Sequence, residues 1–132
     1  MSVILLDTNI ISFIIKGDTR IHLYAAELNG KQHALSFMTV AELYQWAGIR
    51  NWGARRLSDF EKMLESYAVL PADRRMPALW GQIKTTSYKS GRSISTADAW
   101  IATTALYYQL PLVTHNPKDF DFIPNLTIVT FA

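Results

Sequence analysis

Two rhythms of apolar and polar residues alternate along this chain. Val3 to Leu6 form an unbroken apolar run, and Ala34–Phe37, Leu112–Thr114 and Thr127–Thr130 are further short runs of the kind that fill buried strands. Between them, apolar residues recur at helical spacing over Thr8–Lys16, Arg20–Leu28, Val40–Arg50, Ala54–Tyr67, Arg74–Ser90 and Thr96–Gln109. Leu57, Phe60, Leu64 and Tyr67 make one continuous helical stripe. Pro71, Pro77, Gly91 and Pro111 punctuate the joins. Strands alternating with helices predict an α/β fold, a parallel β-sheet with helices on its faces. No repeat, low-complexity tract or linker interrupts the pattern, so residues 1–132 read as a single domain.

Composition narrows the compartment more than the chemistry. The residues are 49% hydrophobic and 18% charged, the balance of an ordinary soluble globular protein. The chain has no cysteine, which excludes disulfides and thiolate metal sites and suits a reducing, cytoplasmic setting. The apolar stretch Ile10–Ile15 is broken by Ser12 and ends at Lys16, too short to span a bilayer. No basic segment precedes it as in a secretory signal. Neither membrane insertion nor secretion is expected.

The candidate chemistry lies where strands end. Asp7 closes the first apolar run, with Thr8 and Asn9 beside it. Later come Thr39–Glu42 ("TVAE"), Ser95–Asp98 ("STAD") and Asn116–Asp119 ("NPKD"), each an N-cap type of residue followed three positions later by an acid. Capping boxes explain that spacing. Asp98 and Asp119 are short for the role, however, because a box favours the longer Glu or Gln. Helices that follow parallel strands begin at the carboxyl edge of the sheet, where open α/β sheets bind ligands. Asp7, Glu42 and Asp119 are expected at that edge; Asp98, in a helix that precedes its strand, is less constrained. Carboxylates gathered there repel one another unless they share a cation, and oxygen-only ligands suit Mg²⁺ or Mn²⁺. Such an ion polarises a phosphoryl oxygen and lowers the pKa of bound water, the basis of phosphodiester hydrolysis. With four acids in one pocket, 13 basic groups face seven acids elsewhere, a surface suited to a polyanion. Taken one by one, the basic clusters read first as solvated helix faces. His22, His33 and His115 are isolated, and no Gly-rich phosphate loop is present.

"LLDTNIIS", "FMTVAELYQW", "ISTADAWIATTAL" and "LVTHNPKDFDFIPNLTIV" together resemble the PIN domain, in particular VapC-type toxins of bacterial toxin–antitoxin pairs. The resemblance covers nearly the whole chain. It implies a three-layer fold with the parallel sheet sandwiched by helices, and a Mg²⁺- or Mn²⁺-dependent endoribonuclease. It places Asp7, Glu42 and Asp98 on the family's most dependable acidic positions, and Thr8, Asn9 and Thr114 where supporting polar groups stand. Where many relatives carry a fourth acid this chain has Asn116, so Asp119 is expected to complete the site. Asp121 and Asn116 itself are the alternatives. The resemblance also implies a cognate antitoxin and a homodimer, with Phe13, Tyr44, Trp46 and Trp52 as docking material or as core. Two other functions remain open from the residues alone: a catalytically silent binding module, and a phosphoryl-transfer enzyme with Asp7 as nucleophile. Asn9 stands where the second acid of a D-x-D pair would be needed.

Overall fold

A computed structural model describes residues 2–132. Five strands form one parallel sheet: β1 (Val3–Leu6), β2 (Gln32–Ser36), β3 (Ala68–Leu70), β4 (Leu112–Val113) and β5 (Ile128–Val129). Their order across the sheet is β3-β2-β1-β4-β5. β1 is central, pairing Leu5 with Ala34 on one side and with Leu112 on the other. The order therefore reverses between β1 and β4, and a crevice opens at their carboxyl ends.

Six helices cover the sheet: α1 (Thr8–Lys16), α2 (Ala25–Leu28), α3 (Phe37–Ile49), α4 (Ala54–Leu64), α5 (Met76–Lys89) and α6 (Thr96–Tyr108). The pleat sorts the apolar run of β1 between two cores. Leu5 faces one with Ala34, Leu112 and the α6 residues Ala99, Ile101 and Ala102. Ile4 and Leu6 face the other with Leu35, Val113, Ile10, Ile11, Leu43 and Phe60. Burial on both faces is why the central strands read as continuous apolar runs. The result is the expected three-layer α/β sandwich.

Several element boundaries differ from expectation, for local reasons. The segment from residue 20 to 28 is a 3₁₀ helix, Thr19–Tyr24, followed by the single turn of α2. α4 ends at Leu64, so Tyr67 leaves the helical stripe and packs near His33, with ring centroids 6.1 Å apart. The chain then enters β3, an edge strand of three residues that is too short to show a period in the sequence. α3 starts at Phe37, three residues before the expected Val40, because Ser36 caps it by accepting from the Met38 N–H. The Asn116–Asp119 segment is one 3₁₀ turn, Pro117–Asp119, and the Asn116 side chain makes no cap bond.

Candidate active site

Asp7 sits at the end of β1, 5% exposed, and caps α1. Its Oδ1 accepts from the Thr8 N–H at 2.7 Å and its Oδ2 from the Thr114 hydroxyl at 2.7 Å. Thr114 follows β4, so this bond closes the crevice between the two central strands. The Thr114 oxygen is in turn fed by the Asn116 N–H at 2.9 Å.

A second relay holds Glu42. The Thr8 hydroxyl donates to Glu42 Oε1 at 2.7 Å and lies 3.0 Å from the Thr39 hydroxyl. Thr8 has one proton, so the buried Thr39 is the donor to Thr8. Glu42 is the sixth residue of α3 and contacts no capping group. The capping-box reading of Thr39–Glu42 is therefore wrong: Ser36 fills the cap, and Glu42 turns into the crevice with Thr39 one turn behind it.

Asp98 retains half of its predicted box. It is the third residue of α6, and Ser95 accepts from its backbone N–H at 3.0 Å. Asp119 is exposed on the 3₁₀ turn, so the helix start expected around it is absent. A pocket lined by Ser95, Asp98, Lys118 and Asp119 joins the two acids. Asp121 instead pairs with Arg92.

The acids act on one another. Burial above all pushes the Asp7 carboxyl up to about 7; Asp98 and Glu42 add repulsion, while the Thr114 hydroxyl and the Thr8 N–H pull it down. Asp98 is pushed up to about 6, again mainly by burial, with repulsion from Asp119 and Glu42 and relief from Ser95. All four predicted acids thus share one electrostatic site. The donor set is carboxylate and hydroxyl oxygen. Among the described residues no three acidic or histidine side chains close on a single point as a preformed cage.

The supporting residues divide. Thr8 and Thr114 orient acids directly. Asn9 accepts from the His115 N–H at 3.2 Å and so stitches α1 to the end of β4. Asn116 contributes its backbone N–H, and its side chain points to no partner in the site. Two contributors escaped the sequence reading. Thr39 was visible only as a presumed cap. Tyr24, fully buried, carries its hydroxyl 2.6 Å from His115 Nδ1 and 3.3 Å from the Thr114 carbonyl, propping the strand end from below. Its place in a segment of unclear period concealed it.

Acids from separate segments, brought together at the switch point of a five-stranded parallel sheet, define a family. The PIN domain model matches residues 4–125, and the chain belongs to the PIN-domain family. Within it, the chain is 34% identical over 125 residues to Ribonuclease VapC1 of Haemophilus influenzae, covering 92% of both proteins. It is 30% identical to the tRNA(fMet)-specific endonuclease VapC of Shigella flexneri, again over 92% of both. Among solved structures, the VapBC-1 complex of nontypeable Haemophilus influenzae matches with a TM-score of 0.82 and 30% identity over 97% of each chain.

Proposed function

We propose that this protein is an endoribonuclease of the VapC type, the toxin of a toxin–antitoxin pair, and that it cleaves RNA phosphodiesters with Mg²⁺ or Mn²⁺ held by Asp7, Glu42, Asp98 and Asp119. The nuclease and toxin parts rest on the full-length likeness to VapC ribonucleases and to VapBC complexes. The single structural observation that carries the metal part is the shared acidic site itself. Two of its acids are forced toward neutrality by burial and mutual repulsion, a condition that a cation relieves. The hard oxygen donors fit Mg²⁺ or Mn²⁺.

When bound, the ion supplies Lewis acidity to the phosphoryl oxygen and a more acidic water. The chain's own residues do the positioning. Thr114 and Thr8 donate to Asp7 and Glu42, which fixes the orientation of each carboxylate. Asp98 enters from the first turn of α6, where the helix dipole favours its charge. Asp119 lies on an exposed turn and shares a pocket with Asp98, from which it would complete the ligand set. Asp7 as a covalent nucleophile has less support, since the relatives with which the chain aligns over 92% of its length are named as ribonucleases.

The test is a gel assay on transfer and ribosomal RNA, with Mg²⁺ or Mn²⁺ and with chelator, comparing the wild type with Asp98→Asn. Ser95 caps the backbone N–H of residue 98, so the substitution leaves the helix start intact. Cleavage is expected only with metal, and to fall by orders of magnitude in a folded Asp98→Asn protein. Wild-type cleavage by that variant would sink the ligand set.

A further inference from the structure

A basic and aromatic path leaves the acidic crevice between α1 and α3. Thr8, Ser12 and Lys16 are spaced four apart on one face of α1, and Glu42, Trp46 and the C-capping Arg50 likewise along α3. The two stripes touch at the crevice, where Thr8 donates to Glu42 at 2.7 Å. They touch again where Lys16 Nζ sits 4.9 Å from the centroid of the Trp46 ring. Lys16 lies eight residues beyond Thr8, so the second contact is about 12 Å along α1 from the first. None of the six residues is buried.

The far end opens into a hollow of about 300 Å³ lined by Ile15, Lys16, Trp46, Arg50, Trp52 and Arg56. The Trp46 and Trp52 rings meet edge to face at 5.2 Å, and the Arg56 guanidinium lies 4.3 Å from the centre of Trp52. Among the described residues none of the three cations forms an ion pair with an acid. Asp59 borders the neighbouring apolar hollow with Phe60 and Met63 and does not line this one.

We propose that this path binds the single-stranded RNA segment flanking the scissile phosphate, a substrate contact that rests on the ribonuclease reading. Lys16, Arg50 and Arg56 take backbone phosphates; Trp46 and Trp52, half-buried with one side packed on the core, offer a stacking surface once Lys16 and Arg56 move from over their rings to the phosphates. Positive charge combined with exposed aromatic faces is how proteins hold single strands with little regard to sequence. Lys16 and Arg56 rest over indoles, Arg50 is exposed, and none of the three sits on a carboxylate, so a phosphate reaches them without breaking an ion pair. A protein segment would find apolar anchorage in the neighbouring hollow, which shares Ile15, Trp52 and Arg56 with this one but adds Ile14, Phe60 and Met63.

The experiment measures binding of a short labelled single-stranded RNA to the full chain by fluorescence anisotropy, in chelator and across a salt series, alongside cleavage of the same RNA with Mn²⁺. Lys16→Gln and Arg50→Gln are each expected to lower the slope of log affinity against log salt by about 0.7. Trp46→Leu is expected to weaken binding by about fivefold or more. In cleavage the charge variants raise KM, and the defect shrinks when the RNA flanks are trimmed. Both charge variants sit at exposed positions, so they decide the matter even if Trp46→Leu fails to fold. A wild-type salt slope in both overturns the proposal. So does a defect equally large on trimmed RNA, or variants that bind RNA normally but no longer hold the purified antitoxin, which would make the hollow a protein-docking site. A wild type that cleaves no RNA would overturn the nuclease reading, while the anisotropy in chelator still decides the path.

Discussion

Thr8 and Thr114 each own one hydroxyl proton, and each gives it to a carboxylate. Behind each stands a second donor, Thr39 or the Asn116 N–H, so neither hydroxyl is free to rotate away. These bonds favour the ionised acids and oppose the desolvation that drives Asp7 up to about 7. Thr114→Val keeps the shape and removes the donor. Asp7 then ionises at higher pH, and the acid limb of the pH–rate profile should move to higher pH. An unmoved limb would mean that ionisation of Asp7 does not control the rate. Glu42→Gln probes the other relay. Gln still accepts from Thr8, so the melting temperature should change little, whereas a neutral amide is a poor ligand for a hard cation and cleavage should be lost. Retained cleavage with a lowered melting temperature would return Glu42 to a purely structural role.

At the scale of elements, the decisive local fact is which residue caps each helix. Ser36 and Ser95 cap α3 and α6 through their own hydroxyls, which frees Glu42 and Asp98 for the crevice. The turn Pro117–Asp119 is too short to be a helix, and it separates two nearby acids: Asp119 faces Asp98, and Asp121 faces Arg92. Asp119→Asn should slow cleavage and weaken its metal dependence by about 10- to 100-fold, the scale of an indirect contact. Asp121→Asn should leave both nearly unchanged. The reverse order of effects would place the completing acid two residues later. Much of this was legible beforehand. The apolar runs located four of the five strands, and α1 appears with its expected ends, Thr8 and Lys16, because Asp7 and Gly17 punctuate it in the sequence. The three-residue β3 and the 3₁₀ segment at Thr19–Tyr24 carry too few turns to show a period. Glu42 was found for its charge but misread in its setting, because "TVAE" has capping-box spacing wherever it falls, and spacing alone cannot tell the first turn of a helix from the second.

For the molecule as a whole, the acidic crevice sets how stability follows pH. Unfolded, Asp7 and Asp98 titrate near 3.8; folded, they titrate at about 7 and about 6. Between those values the folded chain holds more protons than the unfolded one, so without metal stability falls as pH rises from about 4 to about 7. The half-exposed Asp18 and Asp73, held down to about 2 by Arg20 and Arg75, act only below that window and with opposite sign. Melting curves in chelator should show the fall, and Mn²⁺ should reduce it by stabilising the charged acids. A flat profile in chelator would show that the acids do not strain the fold. The bond from Thr114 to Asp7 spans 107 residues of chain. A ribosome therefore releases the first acid long before the threonine that orients it. Until β4 slots in beside β1, Asp7 lacks the hydroxyl that orients it, although Glu42 already has its own relay through Thr8 and Thr39. On the ribonuclease reading, the growing polypeptide does not carry its full proposed ligand set until Asp119 has been added, late in its own synthesis.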